Sequence, residues 1–436
     1  MESDPRVLIV AATDDRIEAL SQGLDALGWR TVSARTASAG AATLRDFPLD
    51  AAVVDLEAME PDAIDHLRDA ALPRSLAVIA VGPADAPAAA GADLIMRRAP
   101  HPAQAALRLE QLSRAAVARE EFSLRQATFA ARDVDLSLEP KVETPLKILA
   151  AGAADRRFLA LSNALTAEGA EVVAAPTPYT AFDYLHEAAF DAVVLWGGQD
   201  HAPALSIAAG MKRNTRLFHI PLALYLRSVG EVNPADLYNR GLADVAAADT
   251  SEQETADRVL SLARTHRRDQ AVRIALDQVR ASGLMDSATG LFTPEIFAAH
   301  LARLASAAQA RRRPLSACVL RVAETEAVRA ARTGGWLDRA MPQIGAMVSR
   351  LVRVEDTAAR LAPEVFALAL PATPGEAARL AAERIAAVIG CTAFDAGPDR
   401  SPFVVEFDIG AASLGDSDSA AVLLERASMN IRRSVR

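Results

Sequence analysis

The stretch RVEDTAARLAPEVFALALP, residues 353–371, decides how the C-terminal part of this chain folds. It begins with an arginine and an aspartate three positions apart, Arg353 and Asp356. It ends in VFALALP, an apolar run closed by proline, which predicts a buried strand. Between them stands Ala362-Pro363, at a place where a tight turn ordinarily uses glycine. The stretch therefore joins a polar turn that carries an arginine to a strand of the core.

The residues around this stretch predict an α+β or α/β sandwich. Further strands are indicated by PLSACVLRVA (314–323) and FVVEFDIGAASL (403–414), with helical patterns between them and at the C-terminus. A long helical stretch, about residues 252–282, leads into this region. We therefore expect one compact domain built around these strands.

The N-terminal part contains one α/β pattern twice. Residues 5–120 alternate short apolar strands with helical patterns, which is typical of a parallel sheet. From Leu146 the pattern recurs: KILAAG matches RVLIVAA, and FDAVVLW matches LDAAVVD. The charged residues 121–145, with two prolines near their end, are interpreted as a helix tail and a linker.

Composition limits the classes of function. The 436 residues include 47 Lys and Arg against 56 Asp and Glu, a net charge of −9, which argues against nucleic-acid binding. A small anionic ligand held by a local arginine cluster is still compatible with this charge. Two cysteines cannot build a disulfide framework, and no apolar run is long enough to insert into a membrane. We therefore expect a cytoplasmic protein.

These patterns resemble a known architecture. The repeats resemble the receiver domains of two-component response regulators, and the third region resembles a GGDEF domain, the domain of diguanylate cyclases. DSATGL (286–291) resembles the motif that opens such a domain. The order receiver–receiver–GGDEF resembles the PleD family, above all its PopA-type members, which bind cyclic di-GMP.

The resemblance implies two flavodoxin-like receiver domains followed by a GGDEF-like α/β domain with a central, mainly antiparallel sheet. The expected boundaries are a receiver-like domain at 1–122, a linker at 123–145, a degenerate receiver-like domain at 146–270 and a degenerate GGDEF domain at 271–436.

A receiver is phosphorylated on an aspartate at the end of its third strand, with Mg²⁺ held by neighbouring carboxylates. Asp55 stands at this position, but the expected acidic pair falls on Ala11-Ala12, and Asp14 and Asp15 come a few residues later. Asp55 is therefore either a phosphoacceptor or a leftover carboxylate at a strand end. In the second repeat the position is Trp196, which is either a core residue or an exposed interface anchor.

A diguanylate cyclase joins two GTP molecules with the help of metal ions held by carboxylates. By resemblance, an upstream metal ligand falls on Arg321, and the signature turn falls on Ala362, Pro363, Glu364 and Val365. Proline has no N–H to offer a phosphate, and most of the acids are lost. We therefore predict no catalytic residue, no metal and no enzyme activity. The alternatives are a weak cyclase controlled by phosphorylation of Asp55 and a scaffold without ligand.

GGDEF domains also carry an inhibitory site, the I-site, with the pattern R-x-x-D, which here falls on Arg353 and Asp356. A second arginine of this site falls on Arg384 in AAERIAAVI. Arginine suits phosphate oxygens and aspartate can accept from the guanine N–H edge, so these residues predict a cyclic di-GMP receptor. The resemblance implies a homodimer that relays the signal to protein partners through the receivers, in polar localisation and cell-cycle proteolysis.

Overall fold

The computed structural model describes residues 6–13, 18–57, 59–83, 86–96, 100–138, 144–197, 201–214, 216–226, 234–247, 249–397 and 400–431. The chain divides into two compact units. The first consists of Asp4–Ala115 with Pro140–Ala271. The second consists of Ala116–Glu139 with Val272–Arg436.

The first repeat lies in the first unit and contains a five-stranded parallel sheet in the order β2-β1-β3-β4-β5. Its elements are β1 (Arg6–Val10), α1 (Glu18–Ala26), β2 (Arg30–Ala34), α2 (Ala37–Asp46), β3 (Ala51–Asp55), α3 (Ala63–Ala71), β4 (Ala77–Val81), β5 (Leu94–Met96) and α4 (Pro102–Ala130). Helix α3 was not predicted from the sequence. Helix α4 ends in the second unit.

The second repeat has the same strand order, β7-β6-β8-β9-β10, again with all strands parallel. Its elements are β6 (Lys147–Ala151), α5 (Arg156–Ala167), β7 (Glu171–Ala175), α6 (Pro178–Glu187), β8 (Ala192–Trp196), α7 (Ala202–Arg213), β9 (Leu222–Tyr225), α8 (Pro234–Asn239), β10 (Asp244–Ala246) and α9 (Glu252–Gln278). The order is that of flavodoxin-like doubly wound sheets. The predicted parallel α/β organisation is confirmed.

The central strands β3 and β4 are buried along their whole length, and apolar except for Asp55 at the end of β3, because helices cover both faces of the sheet. All five residues of β3 and all five of β4 are buried, as expected for parallel strands inside an α/β layer structure. Local caps begin the outer helices: Thr36 accepts the N–H of Ala39 at α2, and Thr177 accepts that of Thr180 at α6. Each sheet therefore has one apolar core on either face.

The second unit is built on a four-stranded sheet in the order β12-β13-β11-β14, in which every neighbouring pair is antiparallel. Its elements are α10 (Pro294–Arg311), β11 (Leu315–Val322), α11 (Glu326–Thr333), α12 (Trp336–Leu351), β12 (Thr357–Ala362), β13 (Val365–Pro371), α13 (Gly375–Gly390), β14 (Phe407–Ser413) and α14 (Ala420–Met429). The mainly antiparallel sheet that the resemblance implies is confirmed.

The ends of α4 and α9 belong to the core of this unit. Phe122 and Phe129 from α4, and Val272 from α9, pack in one apolar cluster with Ile296 and Phe297 of α10. The second unit therefore includes the end of α4, which lies far before α10 in the sequence.

Two strands differ from the prediction. Strand β12 was not predicted; it pairs with β13 across Pro363-Glu364, with an irregular register between Arg360 and Ala362. Proline holds φ near about −65°, so the hairpin cannot use a turn with positive φ at that position. At the other edge of the sheet, β14 begins at Phe407, whereas the sequence predicted a strand from Phe403. Phe403 instead forms an isolated antiparallel bridge with Phe394.

Candidate functional site

A cavity of about 340 Å³ opens beside the turn at residues 353–356 in the second unit. Its walls come from the end of α12, the loop at 285–292, strand β12 and the last parts of α4 and α9. The charged residues that line it are Arg125, Arg273, Asp277, Arg350, Arg353 and Asp356. The predicted pair Arg353 and Asp356 therefore lies at a real concavity with an excess of arginine.

Asp356 is buried, with 7% of its surface exposed, and it lines this cavity. Its Oδ2 accepts the backbone N–H of Arg353 at 3.0 Å, which closes the turn. Its Oδ1 is buried and has no hydrogen-bond partner among the residues that the structure describes. Burial raises the pKa of this carboxyl group, against the opposing effects of the Arg353 N–H and the Arg353 charge. Asp356 therefore has one carboxylate oxygen, buried beside the cavity, whose hydrogen-bonding capacity the described residues leave unused.

Arg125 of helix α4 is buried and hydrogen-bonds to the turn at residues 353–356. Arg125 Nη2 donates to the carbonyl oxygens of Val354 and Asp356, both at 3.4 Å, and to Thr357 Oγ1 at 3.2 Å. Arg125 Nε donates to Glu121 Oε1 at 2.8 Å, so the arginine is itself neutralised. Arg125 was not predicted from the sequence, and nothing local to the R-x-x-D pattern points to it.

The same buried network continues to α10. Glu121 Oε1 accepts the Nε2–H of His300 at 2.9 Å and the hydroxyl of Thr357 at 3.3 Å. Burial lowers the pKa of His300, although the contact with Glu121 acts in the opposite direction. Glu121 Oε2 is buried without a hydrogen-bond partner among the described residues, so the bonds to Oε1 are those that join α4, α10 and the start of β12.

Arg350 and Arg353 stand at the opening of the cavity. Both are exposed, and within the described residues neither makes an ion pair. Arg273 is engaged instead: its Nη1 and Nη2 donate to the carbonyl oxygens of Ser349 and Val352, at 3.0 and 3.2 Å. The opening therefore carries two guanidinium groups that, among the described residues, make no ion pair with a carboxylate.

Arg384 lies apart from this cavity lining. It is exposed on α13, and it is not among the residues that line the cavity. Its assignment to the ligand site stays a prediction. Arg360, which follows the R-x-x-D pattern, has a structural role: its Nη2 donates to the carbonyl oxygen of Pro363 at 2.9 Å, and its Nη1 lies 3.4 Å from Asp286 Oδ1.

The signature turn is a tight hairpin in which Ala362 pairs with Val365. Glu364 is held by Arg332, whose Nε and Nη2 donate to its two carboxylate oxygens at 2.7 Å each. Arg332 also donates to both oxygens of Glu324, at 3.0 and 2.8 Å. One arginine therefore neutralises the acid that survives in the turn.

The residues of this turn do not fit a metal ion. Arg321, at the upstream ligand position, presents a cation and lies 3.4 Å from Asp408 Oδ2. Within the described ranges, no group of three or more His, Cys, Asp or Glu could hold a metal. Because arginines neutralise the carboxylates around the turn, a divalent cation would meet positive charge there before it met free ligands.

The corresponding ends of the two parallel sheets differ in polarity. Asp55 ends β3, is 8% exposed, and accepts the N–H of Glu57 on Oδ1 at 3.0 Å. Asp14 and Asp15 lie outside the described residues. Trp196 ends β8 as a core residue, stacked on Tyr225 with ring centroids 4.4 Å apart. One repeat thus keeps a strand-end carboxylate, where the other has an aromatic stack.

Comparison with known families matches residues 283–435 to the family described as "Diguanylate cyclase, GGDEF domain". This match corrects one prediction: the expectation that the protein is not an enzyme is contradicted, because the matched family is one of cyclases. The prediction weighed a few positions of the signature turn, whereas the match extends over the whole domain. No curated protein matches the chain.

Similar solved structures are GGDEF proteins. The GGDEF domain of FimX from Pseudomonas aeruginosa is 19% identical, with a TM-score of 0.31, over 34% of this chain and 90% of that one. The GGDEF domain of DgcB from Caulobacter crescentus, in complex with c-di-GMP, is 19% identical, with a TM-score of 0.31, over 34% of this chain and 84% of that one. Diguanylate cyclase SiaD of Pseudomonas aeruginosa, in complex with its activator SiaC, is 20% identical, with a TM-score of 0.32. The match covers 41% of this chain and 68% of that one.

In the part of the chain that the structure describes, no helix is both long and apolar enough to cross a membrane. The family match at residues 283–435 supports the expected GGDEF domain in the C-terminal part of the chain, and the domain bounds at 271–436 stay a prediction.

Proposed function

We propose that this protein binds cyclic di-GMP at the cavity beside Arg353 and Asp356. The observation that carries the proposal is the unpaired, buried Oδ1 of Asp356 behind an opening with two unpaired arginines. A guanine offers N–H donors to such an oxygen, and guanidinium groups bind phosphate oxygens, often through two parallel hydrogen bonds. A volume of about 340 Å³ is in the usual range for small-molecule sites.

The ligand class follows from the GGDEF domain together with the charge of the cavity. The chain as a whole carries a net charge of −9, so a local excess of arginine over aspartate is not a general property of its surface. A small anion with polar base edges matches that local charge. Arg384 completes the proposed set of ligand residues by its position in the family pattern.

We further propose that the two parallel-sheet repeats are receiver-like domains, at 1–122 and 146–270, separated by a linker at 123–145. The shared strand order and the position of Asp55 at the end of β3 support this assignment. By resemblance to PopA-type proteins, the repeats relay the ligand signal to protein partners, the chain forms a homodimer, and partners are recruited to the cell pole.

Isothermal titration with cyclic di-GMP tests the binding proposal. Arg353→Ala removes one charge-assisted contact, about 1.5–3 kcal/mol, and should weaken binding at least about tenfold. Arg303→Ala, which removes an exposed arginine on α10 outside the cavity, is the matched control and should bind like the wild type. Unmeasurable binding by the wild type, or equal binding by both variants, would contradict the proposal.

A second candidate function is diguanylate cyclase activity, which the family match favours. Purified protein is incubated with GTP and Mg²⁺, and cyclic di-GMP is quantified by chromatography. Product that forms in the wild type and is lost in Glu364→Gln would support catalysis at the signature turn. Product formed equally by both would point to a contaminating enzyme. Asp55→Asn tests whether phosphorylation controls that activity.

A further inference from the structure

We infer that Arg350 is a second phosphate-binding residue of the cyclic di-GMP site, acting together with Arg353. The inference rests on the proposed function and adds a residue that the R-x-x-D pattern does not contain. Arg350 lies in the last turn of α12, and Arg353 follows just after the helix ends. Both line the same cavity, and both are exposed at its opening.

An arginine in the last turn of a helix often donates hydrogen bonds to the terminal carbonyl oxygens of that helix. At the end of α12 this role is already filled from another element. Arg273 of α9 donates to the carbonyl oxygens of Ser349 and Val352, at 3.0 and 3.2 Å. Arg350 makes no hydrogen bond or ion pair within the described residues, so its guanidinium is available to a ligand.

The cavity lining contains four arginines and two aspartates, Asp277 and Asp356, so it carries a local excess of positive charge. Arg125 is neutralised by Glu121, and Arg273 is engaged with carbonyl oxygens at the end of α12. This leaves the guanidinium groups of Arg350 and Arg353 without a hydrogen bond or ion pair among the described residues, although the charge of Arg353 also acts on Asp356. A cyclic dinucleotide carries two phosphodiester groups, each with one negative charge, and two arginines match two such groups.

The position of the Asp356 carboxylate suggests how cyclic di-GMP is oriented in the cavity. The unpaired Oδ1 of Asp356 is buried, whereas Arg350 and Arg353 are exposed. A guanine edge is therefore expected inside, against Asp356, with the phosphates at the opening. Phosphates that stay near water lose little hydration, so their contacts with arginine do not need to offset a large desolvation cost.

The test compares Arg350→Ala with Arg339→Ala in the full-length chain by calorimetric titration with cyclic di-GMP. Arg339 lies on the same helix, over the ring of Trp336, and outside the cavity lining. Arg350→Ala should weaken binding at least about tenfold, as expected for one charge-assisted contact. Arg339→Ala should leave the affinity unchanged, and thermal unfolding confirms that both variants fold.

Two further variants separate charge from shape. Arg350→Lys keeps the charge and loses the bidentate fork, so it should fall between the wild type and Arg350→Ala. Arg350→Glu should bind more weakly than Arg350→Ala because it repels the phosphates. Wild-type affinity in Arg350→Ala, while Arg353→Ala loses binding, would overturn the role of Arg350 and leave the proposed function standing. Absence of binding in the wild type would overturn both.

Discussion

The two carboxylate oxygens of Asp356 differ in their hydrogen bonding. Oδ2 accepts the N–H of Arg353, and Oδ1 has no partner among the described residues. Because desolvation raises its pKa, the group takes up a proton at a higher pH than the ordinary aspartate value of 3.8. The charged groups that face it are Arg353, Glu121 and Arg125. Protonation converts an acceptor of guanine N–H groups into a hydroxyl, so it should weaken ligand binding.

Affinity for cyclic di-GMP should therefore fall as the pH is lowered through the raised pKa of Asp356. The stability contribution has the opposite sign: a raised carboxyl pKa stabilises the fold fully below pH 3.8, and this contribution is lost as pH rises through the folded-state value. Titrations and urea unfolding at several pH values measure the two trends. Asp356→Asn should remove this pH dependence from both, and persistence of it in the variant would assign it to another group.

The contacts of α4 with the turn make a second prediction, at the scale of one element. Arg125→Met keeps most of the side-chain volume but leaves Glu121 as a buried carboxylate without its arginine. Breaking a buried pair by removing one partner costs about 3–5 kcal/mol, and urea unfolding of the second unit should show a loss of this order. Arg119→Met, which changes an exposed arginine on the same helix, is the control and should change stability little.

If Arg125→Met were as stable as the wild type, the network around Glu121 would not hold the turn. If the variant unfolds at lower denaturant and also binds cyclic di-GMP more weakly than Arg119→Met, then Arg125 positions the ligand site as well as stabilising it. The two readouts, unfolding midpoint and affinity, distinguish a structural role from a positioning one.

Gly345 makes a third prediction because α12 passes very close to the loop that lines the cavity. A Cβ at Gly345 would lie 2.4 Å from Thr289 Cβ and 2.7 Å from Thr289 Cα, which is far inside normal contact. Gly345→Ala should therefore cost about 1–3 kcal/mol in urea unfolding. At Gly390 the nearest atom is 3.6 Å away, so Gly390→Ala is the control and should be neutral or stabilising by up to about 1 kcal/mol.

The elements were predictable where apolar periodicity was strong, and were missed where it was short or interrupted. The strands at 6–10, 51–55 and 365–371 are continuous apolar runs, and each was expected. Helix α3 buries Ala63, Ile64, Leu67, Ala70 and Ala71 at clear helical spacing, but it has only nine residues, and a pattern this short was missed. Strand β12 contains polar residues and adjoins a proline, features that favour a turn in sequence-based reasoning.

Local sequence patterns were likewise able to indicate only some residues of the candidate site. Arg353 and Asp356 could be found because both residues belong to one short pattern. Arg125 bonds to the carbonyl oxygen of a residue 231 positions further along the chain, and no local spacing can indicate such a contact. Arg350 carries no motif either; what identifies it is its place at a cavity and the engagement of Arg273 at the end of its helix.

At the scale of the molecule, a buried charge cluster joins the two repeats within the first unit. Asp244 of β10 accepts from Arg258 Nε at 2.7 Å and from Gln104 Nε2, on α4, at 3.0 Å. Burial is the largest single effect and acts to raise the pKa of Asp244, but the charge and hydrogen bonds of Arg258, together with Arg108 and Gln104, outweigh it and hold the pKa below its ordinary value. Arg108 is buried beside this pair, and burial lowers its pKa. The first repeat therefore contributes side chains to a network centred on the second.

Asp244→Ala should destabilise the first unit by about 3–5 kcal/mol, because it leaves Arg258 and Arg108 buried without their carboxylate. Differential scanning calorimetry measures the loss, with Asp183→Ala, an exposed aspartate of the same unit, as the control. Since the pKa of Asp244 is lowered, its contribution is present above pH 3.8 and is lost as pH falls through the folded-state value. An equal thermal midpoint for both variants would contradict a stabilising role for the cluster.

Arg125 contacts the turn largely through the main chain, and this has an evolutionary consequence. Its acceptors at Val354 and Asp356 are carbonyl oxygens, which every amino acid supplies. Position 354 can therefore change in related proteins without loss of this contact. Paired substitutions, the usual statistical sign of two residues in contact, are not expected between 125 and 354. Among relatives, coupled substitutions of position 125 are expected instead with positions 121 and 357, whose side chains Arg125 contacts.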